Sequence, residues 1–167
     1  GWFDGHNEKL MHQQLIAAFR PLPGDETWLE LQSTFTPTGN SLLLEKTNYA
    51  FLAVRVAKSI SHHYGGGQLT NSAGVVGETD IFGQPADWMD YSGPVVGDTI
   101  EGITYFSHPS NPHTPHGWHV RNDGWMAASV CMHEGIEITK ETPLTLRFAL
   151  HAHAGALDAA TAKSHFD

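Results

Sequence analysis

Apolar residues recur along this chain with period two far more often than with period 3.6. In ETWLELQSTF, Leu29 and Leu31 alternate with Glu30 and Gln32; in FLAVRVAK, Leu52, Val54 and Val56 alternate with Ala53, Arg55 and Ala57. Successive side chains of a strand point to opposite faces of its sheet, so these runs predict half-buried β-strands. PLTLRFALHAH shows the pattern best: Leu144, Leu146, Phe148 and Leu150 face a core, while Thr145, Arg147, Ala149 and His151 face away from it.

Turn-forming clusters separate the runs: PLPGDE at 21–26, TPTGN at 36–40, YGGGQ at 64–68, SGPVVGD at 92–98 and HPSNPHTPHG at 108–117. Short strands at this spacing predict an all-β fold, an antiparallel β-sandwich. Two segments have helical character. Glu8 to Phe19 reads equally well as strand, and the alanine-rich end GALDAATAKSHF, opened by Gly155, is the one helix expected. No repeat, low-complexity tract or shift in composition marks a boundary, so residues 1–167 are read as one sandwich domain or the C-terminal part of one.

Composition narrows the function classes. Eighteen acidic residues against nine basic ones leave a formal net charge of -9, which argues against nucleic acid as a partner. Cys131 is the single cysteine, so no internal disulfide or two-pair thiolate zinc site can form. No apolar run approaches the roughly 18 residues of a membrane-spanning helix, and no membrane role is expected. The start, GWFDGHNEKL, has no signal-peptide character, which leaves a periplasmic or extracellular setting open; the abrupt Trp2 and Phe3 suggest a chain that begins inside a domain.

From about Gln13 onward, the order of motifs resembles the DUF6807 or "PmoA-like" family. The resemblance rests on GITYFSHPSNPHTPHGWHVRNDGWMAAS, on VRVAKSI followed by NSAGVVGETDIFGQPADWMDYSGPV, and on PLTLRFALHAHAGALDAATA. The proline-histidine-histidine-glycine segment carried at the N-terminus of family members is not found here, and His113, Thr114, His116 and Gly117 depart from the family order. The chain is therefore read as the family's C-terminal part, expected to have an open sheet edge or to associate with a missing N-terminal segment or a second copy. The family's other name, methane oxygenase, implies membrane helices that this sequence lacks. The resemblance implies instead a sandwich of galactose-mutarotase-like shape and a role in bacterial carbohydrate breakdown, although fold does not fix function.

The run HPSNPHTPHGWHVRN holds His108, His113, His116 and His119 with Asn111, Trp118 and Arg121. Its prolines restrict the backbone, so the loop is expected to be ordered. In an extended WHVR, His119 and Arg121 project together and Trp118 and Val120 project oppositely. An imidazole serves proton transfer, a guanidinium stabilises negative charge, and an indole stacks on a sugar ring. Histidine spacings of five, three and three match no established metal motif, so no metal site is assigned.

A second group, GETDIFGQPADWMDYSG, contributes Glu78 as a candidate acid or base, with Trp88 and Asp90 as ligand contacts; Asp87 reads as a surface acid. His151 and His153 share a face with Arg147 and make a weaker third group. His62 and His63 read as an exposed turn, and Cys131, within ASVCM, as buried and inert. No nucleotide fingerprint precedes a helix, and no cofactor is assigned.

The candidate catalytic set is thus His119, Arg121, His108 and Glu78, and the candidate substrate contacts are Asn111, Trp118, Trp88 and Asp90. The function expected is a carbohydrate-active enzyme, or a fragment of one, of lyase, hydrolase or epimerase type, with a small-molecule or carbohydrate ligand. The alternatives are a non-catalytic carbohydrate-binding module and a metal-binding protein built on the histidine loop.

Overall fold

The computed structural model describes residues 1–167. The strands are β1 (Trp2–Phe3), β2 (Lys9–Pro21), β3 (Thr27–Pro37), β4 (Ser41–Leu44), β5 (Ala53–Arg55), β6 (Gln68–Asn71), β7 (Trp88–Val96), β8 (Thr99–Ser107), β9 (Trp118–Arg121), β10 (Trp125–Ala128), β11 (Ile136–Thr139) and β12 (Leu144–Ala154). Three helices interrupt them: α1 (His62–Gly65), α2 (Glu78–Ile81) and the terminal α3 (Ala159–Phe166). The fold is an all-β sandwich with a short C-terminal helix.

A seven-stranded sheet runs in the order β1-β2-β3-β12-β8-β7-β6, every neighbouring pair antiparallel. A three-stranded sheet, β5-β10-β9, lies over its inner face, and β4 and β11 form a separate ribbon. The alternation read in β12 places Leu144, Leu146 and Phe148 in the core beside Tyr105, Met89 and Phe35. From the smaller sheet, Val54, Trp118, Val120 and Met126 pack against them. Arg147, His151 and His153 consequently lie on the outer face of the large sheet, and His119 and Arg121 on the outer face of the small one. The two groups are on opposite sides of the molecule.

The ambiguous segment Glu8 to Phe19 is strand. Paired with β3 from Met11 to Pro21, it forms ladder bonds that outweigh the weak helical preference of its alanines and glutamines. Beyond Met11 its other edge has no strand partner, and Leu15, Ile16 and Phe19 are exposed. The terminal helix begins at Asp158, whose carboxylate accepts from the Ala160 and Thr161 amides. Ala162 and Phe166 then dock on Trp28, Trp88 and Phe106 on the outer face of the large sheet. No helix is long and apolar enough to cross a membrane.

Candidate functional site

Three strands and a tight turn build the cleft. The register of the small sheet places Trp125 between Arg55 and Arg121, with Ala127 beside His119. Side chains at these positions point away from the core, because their neighbours Val54, Met126 and Val120 fill it. Arg55, Trp125 and Arg121 therefore make one outward row, and the fully buried Ala127 pairs with His119 in the next. Gly124, at φ +102, closes the turn between β9 and β10 in the left-handed region that favours glycine. The result is a concavity of about 600 Å³ walled by Tyr49, Tyr64 and Trp125, with His119, Arg121 and Glu78 inside it.

His119 is almost fully buried, at 5% exposure, among rings. Those of Phe82 and Tyr49 stand 5.3 and 5.4 Å away. Its Nδ1 lies 3.0 Å from the Asn48 carbonyl, which can only accept, so Nδ1 carries the proton and Nε2 the lone pair. Ser129 Oγ donates to the same carbonyl at 2.6 Å and holds it in place. Burial, and then the neighbouring Arg121 charge, push the imidazole below its ordinary pKa, against the smaller opposing pulls of Asn48 and Glu78. At neutral pH His119 is an uncharged base.

Arg121 Nη1 donates to Glu78 Oε1 at 2.9 Å, and the Asn122 amide donates to Glu78 Oε2 at 2.7 Å. The guanidinium also lies over the Phe82 ring, 5.1 Å from its centre. Burial alone would raise the Glu78 pKa, but the bonds from Arg121 and Asn122, with the Arg121 charge, outweigh it and hold the carboxyl below its ordinary value. With both oxygens engaged and the proton disfavoured, Glu78 orients Arg121 and is a poor proton donor. A second ion pair, Arg55 Nη1 to Asp123 Oδ2 at 2.9 Å, balances the other end of the cleft.

The large sheet supports the turn from behind. The Tyr91 hydroxyl, reached from β7 through the core, donates to the Asn122 carbonyl at 3.0 Å and accepts the His62 amide at 3.1 Å. Asn122 Oδ1, Asp123 Oδ1 and Trp125 Nε1 are nevertheless buried without partners. Unpaired buried polar atoms cost about 1–3 kcal/mol each, and their concentration in one turn is the kind of stored cost found at functional sites.

The structure brings together His119, Arg121 and Glu78 and sends the remaining candidates elsewhere. Trp118 is fully buried, its Nε1 donating to the Ala86 carbonyl at 2.8 Å; it forms core rather than a stacking surface. Asn111 is buried too, with Oδ1 accepting the Arg147 amide at 2.8 Å and Nδ2 donating to the Arg147 carbonyl at 2.7 Å. It extends the ladder of β12 and cannot meet a ligand in the cleft. Trp88 is covered by α3, and Asp90, 1% exposed, binds His153, Thr104 and Ser92 on the outer face of the large sheet. His108 lies on that opposite face, beside Arg147.

The four histidines of the proline-rich loop also diverge. His108 binds Ser110, His113 binds the Val130 carbonyl and Glu134, His116 binds Ser107, and His119 binds the Asn48 carbonyl. Burial pushes His116 down to about 4, so it stays neutral. No group of three His, Cys, Asp or Glu side chains is arranged to hold a metal ion. Asn48, Tyr49, Arg55, His63, Tyr64 and Trp125 are parts of the cleft that sequence reasoning missed. Only Arg55 carried a signal, its outward place in the VRVA alternation.

A family model matches residues 1–167, and the chain belongs to DUF6807, a family of unknown function. No curated protein matches the chain, and no solved structure does.

Proposed function

We propose that this DUF6807 chain is a carbohydrate-active enzyme of the lyase or epimerase type, with His119 as its base and Arg121 as the group that stabilises negative charge. One observation carries the reading: the Nδ1–H bond to Asn48 presents the unprotonated Nε2 of a neutral imidazole to an aromatic-walled cleft, beside a fixed guanidinium. In the reaction, Nε2 removes a proton from the carbon next to a sugar carbonyl. The electron pair moves to the carbonyl oxygen, where Arg121 meets the developing charge. Proton delivery to the other face by solvent, with His119 releasing its proton to solvent, gives an epimer; departure of an oxygen-linked group from the next carbon, taking the His119 proton, gives an unsaturated sugar.

Hydrolysis by two carboxylates is less well supported. That chemistry needs one protonated acid, whereas Glu78 is held ionised by two donors and Asp123 is paired with Arg55. Each of the cleft's two ion pairs balances its own charges, so a substrate would be selected through its rings and hydroxyls. A non-catalytic binding module is the second reading, favoured by the exposed Tyr49 and Tyr64 beside Trp125, which offer a stacking platform.

The test is incubation with a panel of aldoses, ketoses, keto-glycosides and uronates in D2O, followed by NMR. Deuterium entering a carbon-bound position, or an unsaturated product, with the wild type but not with His119→Gln supports the enzyme. Saturable binding of a sugar with no exchange supports the binding module instead.

A further inference from the structure

The outer face of the large sheet carries a second concavity, of about 670 Å³, beside the end of α3 and on the side of the sandwich away from the cleft. Its accessible apolar lining is Ile16, Ala18 and Ala149, with Trp28 and Phe106 almost fully buried beside His165 and Phe166. Its rim holds Arg147, and no carboxylate lies within 4.0 Å of that guanidinium, in contrast to Arg55 and Arg121.

Arg147 is nonetheless fixed. Nε donates to Gln32 Oε1 at 2.8 Å and Nη1 to Ser110 Oγ at 3.2 Å, while Nη2 has no protein acceptor. Asn111 pins the backbone of the same residue through both its amide and its carbonyl. The Ser110 hydroxyl, which accepts from Arg147, lies 2.8 Å from His108 Nδ1, and the Ser110 amide donates to that same nitrogen at 3.0 Å. A nitrogen that receives an amide proton is unprotonated, so the neutral ring of His108 carries its hydrogen on Nε2, which has no partner. Arg147 and His108, joined through one serine, therefore present N–H donors without acceptors at the same end of the groove.

Two residues along β3 from Gln32, Glu30 accepts from Trp28 Nε1 through Oε1 at 2.9 Å and keeps Oε2 as an acceptor. Asp167 also lines the groove, and these carboxylates disfavour a dianion such as a phosphate ester.

We propose that this groove binds a hydroxylated monocarboxylate of the uronic-acid class. The carboxylate is held by Arg147 Nη2 and His108 Nε2–H, the carbon skeleton lies against Ile16, Ala18 and Ala149, and a hydroxyl donates to Glu30. An arginine fork suits a carboxylate better than a lysine does, because its planar donors match the two oxygens. The site is separate from the cleft and independent of the cleft's chemistry.

Isothermal titration calorimetry with glucuronate, glucose, glucose 6-phosphate and trigalacturonate tests it on the wild type, Arg147→Gln, Arg147→Lys and His108→Ala. Glucuronate should bind the wild type saturably. Glucose should bind about tenfold more weakly or worse, as the loss of one charged hydrogen-bonded contact implies. Arg147→Gln and His108→Ala should weaken glucuronate by a similar factor, and Arg147→Lys by less. Tighter binding of trigalacturonate than of glucuronate would identify a polymer end as the natural source, and equal binding a free sugar acid.

Equal affinity for glucose and glucuronate, tighter binding of glucose 6-phosphate, or glucuronate affinity unaltered in both Arg147→Gln and His108→Ala would overturn the proposal. Wild-type-like melting of His108→Ala shows that its effect does not come from unfolding.

Discussion

Glu78 and Arg121, 43 residues apart, are joined at 2.9 Å, and the second carboxylate oxygen of Glu78 takes the amide of the residue after Arg121. One side chain thus fixes both the guanidinium and the start of the turn that carries Asn122 to Trp125. Glu78 reaches this position from a single-turn helix that follows Gly77, whose φ of +89 redirects the chain. Under the proposed mechanism, Glu78 is therefore a positioning group for the guanidinium beside His119 rather than an acid or base.

Replacing Glu78 with Gln should therefore leave the fold in place and loosen Arg121. The Glu78 pKa is held below its ordinary value, so its stabilising effect is fully present above the unfolded carboxylate pKa of about 4.3. That effect is lost as pH falls through the lower folded value. Urea denaturation of wild type and Glu78→Gln at a series of pH values should show a stability gap at neutrality that closes in acid.

His119 has the same sign of pH dependence for a different reason. Its folded pKa is depressed, chiefly by burial, so the neutral ring is favoured and the fold loses stability as pH drops from the unfolded value of about 6.5 through the folded one. NMR titration of the imidazole should find Nδ1 protonated at neutrality and a midpoint below 6.5. Turnover should correspondingly persist on the acid side of 6.5, because the base remains unprotonated there.

The alternation in WHVR and PLTLRFALHAH made the two faces of each strand legible, and with them the pairing of His119 with Arg121 and the inward turn of Val120. The same rule does not say which of two outward faces carries a site. His108 and Asn111 stand in one run with His119, yet the prolines between them carry the chain from the large sheet to the small one, and this separates them by the thickness of the sandwich. Asn48 and Tyr49 enter the cleft from a loop about 70 residues away in the sequence, with no periodic pattern to mark them. The strand of Lys9 to Pro21 was ambiguous because both its faces are largely exposed, which removes the apolar alternation that identifies a half-buried strand.

Trp118 belongs to the core. Trp118→Ala should cost about 3–5 kcal/mol, the range for removing a large buried ring, and lower the melting temperature before any effect on ligand binding can be separated. Differential scanning calorimetry checks this.

Tyr91→Phe is a subtler probe, because it removes only the hydroxyl that ties the large sheet to the Asn122 carbonyl and the His62 amide. Its stability cost should be about 1–2 kcal/mol, and amide hydrogen exchange should rise in residues 122–125 and around His62 before the rest of the small sheet. Uniform change across the molecule would mean that the bond does not support the turn in particular.

Turnover measured beside melting temperature for His119→Ala and Arg121→Ala, on the sugar that exchanges deuterium with the wild type, tests the central claim most directly. The account predicts that Arg121→Ala loses about 2 kcal/mol or more of transition-state stabilisation, and that His119→Ala loses about 100-fold or more in kcat/KM. Both variants should melt within a few degrees of the wild type. Loss of stability in both with no selective loss of turnover would show that the pair is structural, and unimpaired turnover in His119→Ala would show that the base lies elsewhere.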